Sequence, residues 1–409
     1  MDSAASTPKH DGSAAARDDR DVLRMASALF LAGFATFSLI YCVQPLLPEF
    51  ATEFGVSPAT SSLALSLTTA CLAFSIVCAG MVSQAWGRRG LMFVSMGGAA
   101  LLNLAASFAP HWPVLLVARA LEGLVLGGVP AVAMAYLAEE VPHGKLGKVM
   151  GLYIGGTAFG GMIGRVAIGG LTEFLSWRAA MGTLSVVAGL SALAFILLLP
   201  PSRNFQRQPG FNLRFHLEAW KAHLRDAGLR RFFLVGFLSM GAFVTVYNYA
   251  GFRLVAEPFR LGQTQIGLIF LAYVFGIFAS SAAGAMVDRL GRSRVITCGA
   301  LATMAGLVLT LSSTLPAIIA GICVLTTGFF IVHSVASGAV GRLANGNKGH
   351  ASSLYLLSYY AGASLMGSVG GAVWHVGQWA AVVAYAGMLT LGVLCIACSR
   401  PMSLRVEKP

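Results

Sequence analysis

Two charged residues of opposite sign lie inside a long apolar segment of the sequence. The segment runs from Trp112 to Glu140, and Arg119 and Glu122 stand within it three positions apart. On a helix this spacing places both side chains on one face, where they can form an ion pair. At about 1.5 Å per residue, Arg119 lies roughly 10 Å and Glu122 roughly 15 Å from the start of the segment, near the middle of a bilayer. The pair is therefore either a structural salt bridge or a site that binds and releases a proton.

Other polar residues lie within apolar segments. Arg165, one segment later, reaches nearly the depth of Arg119, so two arginines and one carboxylate share a layer. Either backbone carbonyls or water compensate Arg165, or it contacts an anionic or polar substrate. Six residues are candidates for lining a central cavity, with interhelical hydrogen bonding as the alternative role: Tyr41 and Gln44 in the first segment, Tyr247 and Asn248 in the seventh, and Tyr355 and Tyr359 in the eleventh. His333 is either a packing histidine or a proton carrier.

The composition indicates a polytopic membrane protein. Of the 409 residues, 56% are hydrophobic and 11% charged, whereas a soluble domain carries about 25% charged residues. The formal net charge is +12, but the basic residues are distributed by loop rather than gathered in one domain, which argues against nucleic-acid binding. The sequence contains no metal-ligand cluster on loops, no nucleophile with a paired base and no nucleotide-binding loop. We therefore expect no enzyme activity, no metal and no cofactor.

Twelve apolar segments are each close to the ~20 residues that a helix needs to cross a bilayer. This pattern predicts an all-α membrane protein. The predicted spans are 23–46, 60–84, 91–110, 112–138, 148–172, 178–200, 231–254, 264–287, 294–312, 315–341, 350–372 and 378–398.

The basic residues predict the orientation and the domain organisation. When a basic residue at the first or last two positions of a span is counted with the adjoining loop, the N-terminus, the even-numbered loops and the C-terminus hold 23 of the 28 Lys and Arg residues, whereas the odd-numbered loops hold three. By the positive-inside rule both termini are cytoplasmic. The predicted parts are a disordered N-terminus (1–22), two six-helix bundles (23–200 and 231–398), a cytoplasmic linker (201–230) and a cytoplasmic tail (399–409). Within the linker Leu213, Leu217, Trp220 and Leu224 recur with helical spacing, which predicts an amphipathic helix on the membrane surface.

The two halves repeat each other. The loop after the second span begins at Gly80 and the loop after the eighth begins at Gly284, 204 positions later, and Gly87 and Gly291 have the same separation. A repeat of six spans joined by a linker is typical of transporters, whose substrate site lies at mid-membrane between the halves.

These loops resemble the signature loop of the major facilitator superfamily, and the resemblance covers the chain after residue 22. The first loop departs from the pattern at Gln84, where the family usually has Asp. The matching residues are Gly80, Gly87, Arg88 and Arg89 in the first loop and Gly284, Asp288, Arg289, Gly291, Arg292 and Arg294 in the second. The resemblance implies two pseudo-symmetric halves of six helices. It also implies that the acidic residue, here Asp288, helps to lock the halves in one state.

Two further spans resemble motifs of this superfamily. Arg119-x-x-Glu122-Gly123 is similar to a motif whose arginine is linked to proton transfer. The fifth span contains eight glycines and resembles the antiporter motif of drug:proton exporters, except that Arg165 replaces the proline and the terminal glycine pair falls one residue late. Small residues at such positions let helices approach closely. Among subgroups the chain resembles bacterial inner-membrane permeases related to arabinose efflux, which implies an inner-membrane location.

Two classes of function remain open. The first is a secondary transporter, either a proton-coupled exporter of small organic molecules or an importer of an organic acid or sugar, working as a monomer with substrate, protons and the bilayer as partners. The second is a polytopic sensor, which we disfavour because no signalling domain follows the last span. For proton coupling the sequence favours Glu122, with Arg119 as its switch. Burial favours the neutral acid while the guanidinium favours the anion, so a small movement of Arg119 would decide the protonation state.

Overall fold

The computed structural model describes residues 12–202, 204, 213–344 and 346–399. Its long helices form eleven segments that are long and apolar enough to cross a membrane. The last of these, Lys348–Ser399, is two helices joined where the backbone leaves the helical region, at Gly377 (φ −153°) and Gln378 (φ 52°). The described residues therefore contain twelve spans, arranged as six in an N-half and six in a C-half. The predicted fold class, an all-α membrane protein of two six-helix halves, is confirmed.

The spans are numbered in chain order. Spans 1–6 are Gly12–Tyr41, Pro58–Trp86, Arg88–Ser107, Trp112–Leu126 continued by Gly128–Glu140, His143–Leu171 and Trp177–Leu198. Spans 7–10 are Ala227–Val255, Gln263–Leu290, Arg292–Leu309 and Leu315–Leu343, and spans 11 and 12 are the two parts of Lys348–Ser399. Two short helices, Leu47–Glu53 and Leu213–Arg225, lie outside the spans. We call the end that carries the linker and the loops after spans 2, 4, 8 and 10 the basic end, and the other the opposite end.

Two predicted boundaries differ from the structure at the basic end. Span 1 begins at Gly12 rather than at residue 23, because its alanine-rich start continues the helix, and residues 1–11 lie outside the described residues. Span 7 begins at Ala227, where the Asp226 carboxylate caps the helix by accepting a hydrogen bond from the Leu229 amide at 2.9 Å. The linker helix is present as Leu213–Arg225, while positions 203, 205–212 and 400–409 fall outside the described part of the chain.

Span 1 ends earlier than predicted, and Gln44 is not in it. The helix stops at Tyr41, and residues 42–46 form a tight turn that leads into the short helix Leu47–Glu53. The cause is Pro45, which has no amide hydrogen and whose ring would clash with the carbonyl of Tyr41 in a continuing helix. Gln44 is buried in this turn, so its side chain is fixed by the break rather than by a helix.

The glycines of span 5 pack against span 1. A Cβ atom built on Gly156, Gly160 or Gly164 would lie 2.5, 2.3 or 2.7 Å from the backbone of Phe30, Phe34 or Ser38 respectively. The Ser38 hydroxyl also donates a hydrogen bond to the Gly160 carbonyl at 2.9 Å. The spacing of four residues places these glycines on one helix face, so the glycine-rich pattern serves close contact between two helices.

The two halves meet at the opposite end and at mid-depth. The hydrogen bonds found between them include Tyr249 to Ser62 (3.2 Å), Gln263 to Glu49 (3.2 Å) and Ser364 to the Ser66 carbonyl (2.7 Å). The backbones of span 5 and span 8 also touch, since a Cβ atom on Gly169 would lie 2.7 Å from the Cα atom of Gly267. The bundle is therefore closed at its opposite end.

We expect Gly160→Ala to destabilise the protein by about 1–3 kcal/mol, the usual cost of forcing an extra carbon into a packed contact. The carbon would meet the Phe34 carbonyl oxygen, which cannot move without moving span 1. The measurement is the free energy of unfolding in detergent. Gly155→Ala is the control, because no atom lies within 4 Å of its added carbon. Equal stabilities of the two variants would contradict the role assigned to this helix face.

Candidate functional site

Arg119 is fully buried and bonded to four spans of the N-half. Its guanidinium donates to the Glu122 carboxylate (2.6 Å) and the Asn103 side-chain oxygen (3.2 Å). It also donates to the carbonyls of Leu39 (3.2 Å), Ile40 (2.8 Å) and Ala64 (3.2 Å). The predicted ion pair is thus present, with both side chains fully shielded from solvent.

The break in span 1 explains why an arginine is needed here. In an uninterrupted helix the carbonyls of Leu39 and Ile40 would accept bonds from the amides of residues 43 and 44. Instead, the Gln44 backbone amide donates to the Tyr41 carbonyl at 3.0 Å, so the Leu39 and Ile40 carbonyls accept from Arg119, and the Cys42 thiol adds a weak bond to Leu39 at 3.3 Å. Unpaired carbonyls inside a membrane cost several kcal/mol each, and the negative end of a helix dipole favours a cation. Arg119 therefore supplies both the hydrogen bonds and the charge that the broken helix lacks.

Glu122 has one paired and one unpaired carboxylate oxygen. Oε2 accepts from Arg119, whereas Oε1 is buried and has no hydrogen-bond partner. Among the acids whose side chains the structure describes, only Glu122 is buried, because the others lie in loops, in short helices or at span ends. A proton can reach Glu122 only in a conformation in which its surroundings have moved.

Arg165 lies at the junction of the halves, enclosed by aromatic rings. Its guanidinium carbon is 4.0 Å from the ring centre of Tyr41 in span 1, and 4.9 Å from those of both Phe270 and Tyr273 in span 8. Nε donates to the side-chain oxygen of Gln44 at 2.7 Å, and NH1 donates to the Gly161 carbonyl. These aromatic faces and neutral oxygens surround a charge that no described carboxylate pairs with.

Gln44 joins Arg165 to the other half. Its side-chain nitrogen donates to the side-chain oxygen of Asn248 in span 7 at 2.7 Å. The two amides are 204 positions apart, which is also the separation of Gly80 and Gly284, so equivalent positions of the two halves bind each other. Tyr41, Gln44, Arg165, Asn248, Phe270 and Tyr273 together form what we call the interface cluster.

The remaining candidates lie in the C-half. The Tyr247 hydroxyl bonds to Thr326 (2.7 Å), and its ring stacks on Phe270 of the interface cluster at 5.0 Å. His333 forms a separate group, with its Nδ1 atom 2.9 Å from the Tyr355 hydroxyl and its ring 4.6 Å from that of Tyr359. The interface cluster therefore contains Tyr41, Gln44, Arg165 and Asn248 of the predicted site residues. Tyr247 contacts this cluster through Phe270, and His333, Tyr355 and Tyr359 lie together in the C-half.

The signature loops differ between the halves. Gly87 (φ 95°) and Gly291 (φ 81°) adopt conformations that only glycine takes easily, which explains these two positions. Arg88 binds Glu139 at the end of span 4 (2.6 Å) and Ser83 (2.6 Å). Asp288 is exposed and forms no ion pair with any residue that the structure describes. The side chain of Gln84 lies outside the described part.

Sequence reasoning missed three residues of the site. Asn103 receives bonds from Arg119 and contacts Ser185 at 2.8 Å, and it is a polar residue inside a predicted span. Phe270 and Tyr273 lie one helical turn apart in the predicted eighth span, but nothing in one sequence shows that this face meets Arg165. Pro45, at the end of the predicted first span, was an available signal for the break.

The chain matches known transporters over most of its length. The family model of the Major Facilitator Superfamily matches residues 29–255 and 232–408. An MFS-type transporter of Bacillus subtilis, YybF, is 44% identical over 371 residues, covering 91% of each chain. The inner membrane transport protein YnfM of Escherichia coli is 42% identical over 374 residues, covering 91% of this chain and 89% of the relative. The solved structure of the nucleoside transporter NupG is similar with a TM-score of 0.77 at 13% identity, covering 91% and 99% of the two chains.

We expect Arg119→Leu to destabilise the protein by about 3–5 kcal/mol. It leaves Glu122 as an unpaired buried acid, removes the side-chain donor of the Ile40 carbonyl, and leaves the Leu39 carbonyl with only the weak thiol donor of Cys42. Replacing Arg119 and Glu122 together by leucine should recover only part of this loss, since neither carbonyl regains the hydrogen bond that Arg119 donated. Arg178→Leu is the control, because its pair with Glu53 is partly exposed and worth about 1 kcal/mol or less. The measurement is denaturant unfolding in detergent. Full recovery by the double replacement would exclude a role for Arg119 at the broken helix.

Proposed function

The chain belongs to the major facilitator superfamily and is a multi-pass membrane transporter, and we propose that it exports small organic molecules in exchange for protons. The observation that carries proton coupling is the buried ion pair of Arg119 and Glu122 at the broken end of span 1. Export is proposed on the glycine face of span 5, which resembles the antiporter motif and packs directly on span 1.

Glu122 is the proposed proton carrier and Arg119 its switch. Arg119 also holds the carbonyls of Leu39 and Ile40, so a movement of the end of span 1 changes the position of the guanidinium. If the pair separates, Glu122 is left buried without a cation and takes up a proton; when the pair forms again, the proton is released. Protonation is thereby linked to the position of one helix end.

The movement of span 1 is proposed to belong to alternating access. The interface cluster joins the end of span 1 to spans 7 and 8, so opening of the opposite end must break the Gln44–Asn248 bond and separate Arg165 from Phe270 and Tyr273. By the positive-inside rule the basic end is cytoplasmic, so the end at which the two halves are joined would face the outside of the cell. Asp288 would find a partner only when the basic end closes.

We expect cytoplasmic termini and a cytoplasmic linker. Single cysteines at Ser202 and Gly262, in a background without the native cysteines, should be labelled from opposite sides of the membrane. In intact cells an impermeant thiol reagent should reach the cysteine at position 262 and not the one at 202. Labelling of both positions from outside would contradict the proposed orientation.

We expect Glu122→Gln to abolish gradient-driven transport while substrate exchange without a gradient continues. The glutamine keeps the size and hydrogen bonding of Glu122 but cannot bind and release a proton. The assay is flux into proteoliposomes with a panel of cationic drugs, sugars and organic acids, under pH gradients of both signs. An exchanger accumulates substrate when the vesicle interior is acidic, whereas a symporter does so when the exterior is acidic.

Glu218→Gln is the matched control for this assay. Glu218 lies on the linker helix, where its exposed side chain pairs with Arg214. It should transport like the unaltered protein. Gradient-driven flux by Glu122→Gln at the rate of this control would place the proton site elsewhere, and flux driven only by an acidic exterior would show uptake instead of export.

A further inference from the structure

We propose that Arg165 binds the carboxylate of an organic anion with a flat aromatic body, so that the transported molecules are aromatic monocarboxylates. The inference rests on the proposed transport function, because it assigns the substrate class to the site between the halves. Three independent features of the interface cluster support it: an uncompensated charge, two unpaired polar groups and the ring faces around the guanidinium.

The charge of Arg165 lacks a counter-ion. The residue is 1% exposed, and the groups that accept its hydrogen bonds, which include the Gln44 side-chain oxygen and the Gly161 carbonyl, are neutral. Glu122, the one buried acid among the described side chains, is already bound by Arg119. A buried cation without an anion is costly, so an anionic ligand at this position would be favoured and a cationic one repelled.

Two buried polar groups beside the cluster also lack partners. These groups are the side-chain nitrogen Nδ2 of Asn248 and the hydroxyl oxygen Oγ of Ser66, and neither atom has a hydrogen-bond partner. The two residues are only 1% and 2% exposed, respectively. Both atoms lie beside Gly367, since a Cβ atom there would lie 3.4 Å from Asn248 Nδ2 and 3.8 Å from Ser66 Oγ. Val244 Cγ1 would lie closer still, at 3.2 Å, so a ligand atom fits here only after the packing between the halves has loosened. The groups come from spans 7 and 2, so an acceptor between them would bind both halves. A carboxylate oxygen is such an acceptor.

The rings define the rest of the ligand. Tyr41 lies on the N-half, whereas Phe270 and Tyr273 lie on the C-half, so separation of the halves exposes the guanidinium between aromatic faces. In the closed arrangement Gln44 Oε1 occupies one donor of Arg165 at 2.7 Å. An incoming carboxylate would replace this amide oxygen, and a flat ring would stack where Phe270 and Tyr273 now lie.

The test compares isosteres that differ only in charge. Benzoate and 2-naphthoate, their neutral amides and their cationic amidines are titrated into the purified full chain by isothermal calorimetry. We expect at least one carboxylate to bind tenfold or more tightly than its amide, and both amidines to bind most weakly. The proposal would be overturned if carboxylates and amides bound equally well, or if amidines bound more tightly than carboxylates. It would also be overturned if none of these compounds bound.

Two variants separate binding at Arg165 from general loss of folding. Asn248→Asp keeps the oxygen that Gln44 needs, but places an acid two hydrogen bonds from Arg165, so the preference should shift from carboxylates to amidines. Arg165→Gln should reduce carboxylate affinity at least tenfold. Arg178→Gln is the control, because Arg178 also stacks on a ring, that of Trp177 at 4.2 Å, but at the surface. An unchanged preference in Asn248→Asp would overturn the assignment.

The outcomes also separate this inference from the proposed function. Calorimetry measures binding without a gradient, so carboxylate binding can be found even if Glu122 carries no proton. Conversely, if the unaltered protein transported amides or amidines under a proton gradient, the proposal of proton coupling would stand and the proposal of an anion site at Arg165 would be wrong.

Discussion

The structure of the N-half depends on one interaction, the binding of Arg119 to the broken end of span 1. Pro45 prevents the helix from continuing, and inside a bilayer there is no water to satisfy the carbonyls that this break exposes. Arg119 binds the carbonyls of Leu39 and Ile40, and its charge in turn requires Glu122. The proline after span 1 and the cation and acid of span 4 therefore belong to one arrangement, although more than 70 positions separate the two segments in the sequence.

The same helix end connects the two charge centres. The carbonyls of Leu39 and Ile40 accept hydrogen bonds from Arg119, whereas the Tyr41 ring and the Gln44 side-chain oxygen contact Arg165. The six residues 39–44 therefore contact both the ion pair inside the N-half and the cation at the junction of the halves. Neither arginine can move far unless this segment moves. Coupling between a proton site and a substrate site needs a shared element with two positions, and the end of span 1 is suited to be that element.

Much of the architecture was accessible from the sequence, and much of the site was not. Apolar length and the repeat of Gly87 and Gly291 gave twelve spans in two halves, and the spacing of Arg119 and Glu122 gave the pair. Hydropathy does not show which helix faces meet, because helices in lipid associate through close packing and hydrogen bonds rather than through an apolar stripe. The contacts of Arg165 with Phe270 and Tyr273, and of Gln44 with Asn248, therefore required the structure.

The C-half shows that the break and the charges belong together. At the offset of 204 that relates Gln44 to Asn248, Tyr249 takes the place of Pro45, and Cys323 and Thr326 take those of Arg119 and Glu122. Without the proline, span 7 continues as a helix to Val255, and Thr326 accepts or donates a neutral bond with Tyr247 at 2.7 Å. The half with the intact helix thus needs no buried cation and has no buried acid at the equivalent position. The two halves contribute unlike parts to the interface cluster: the N-half provides the charge of Arg165 and the ring of Tyr41, and the C-half provides the rings of Phe270 and Tyr273.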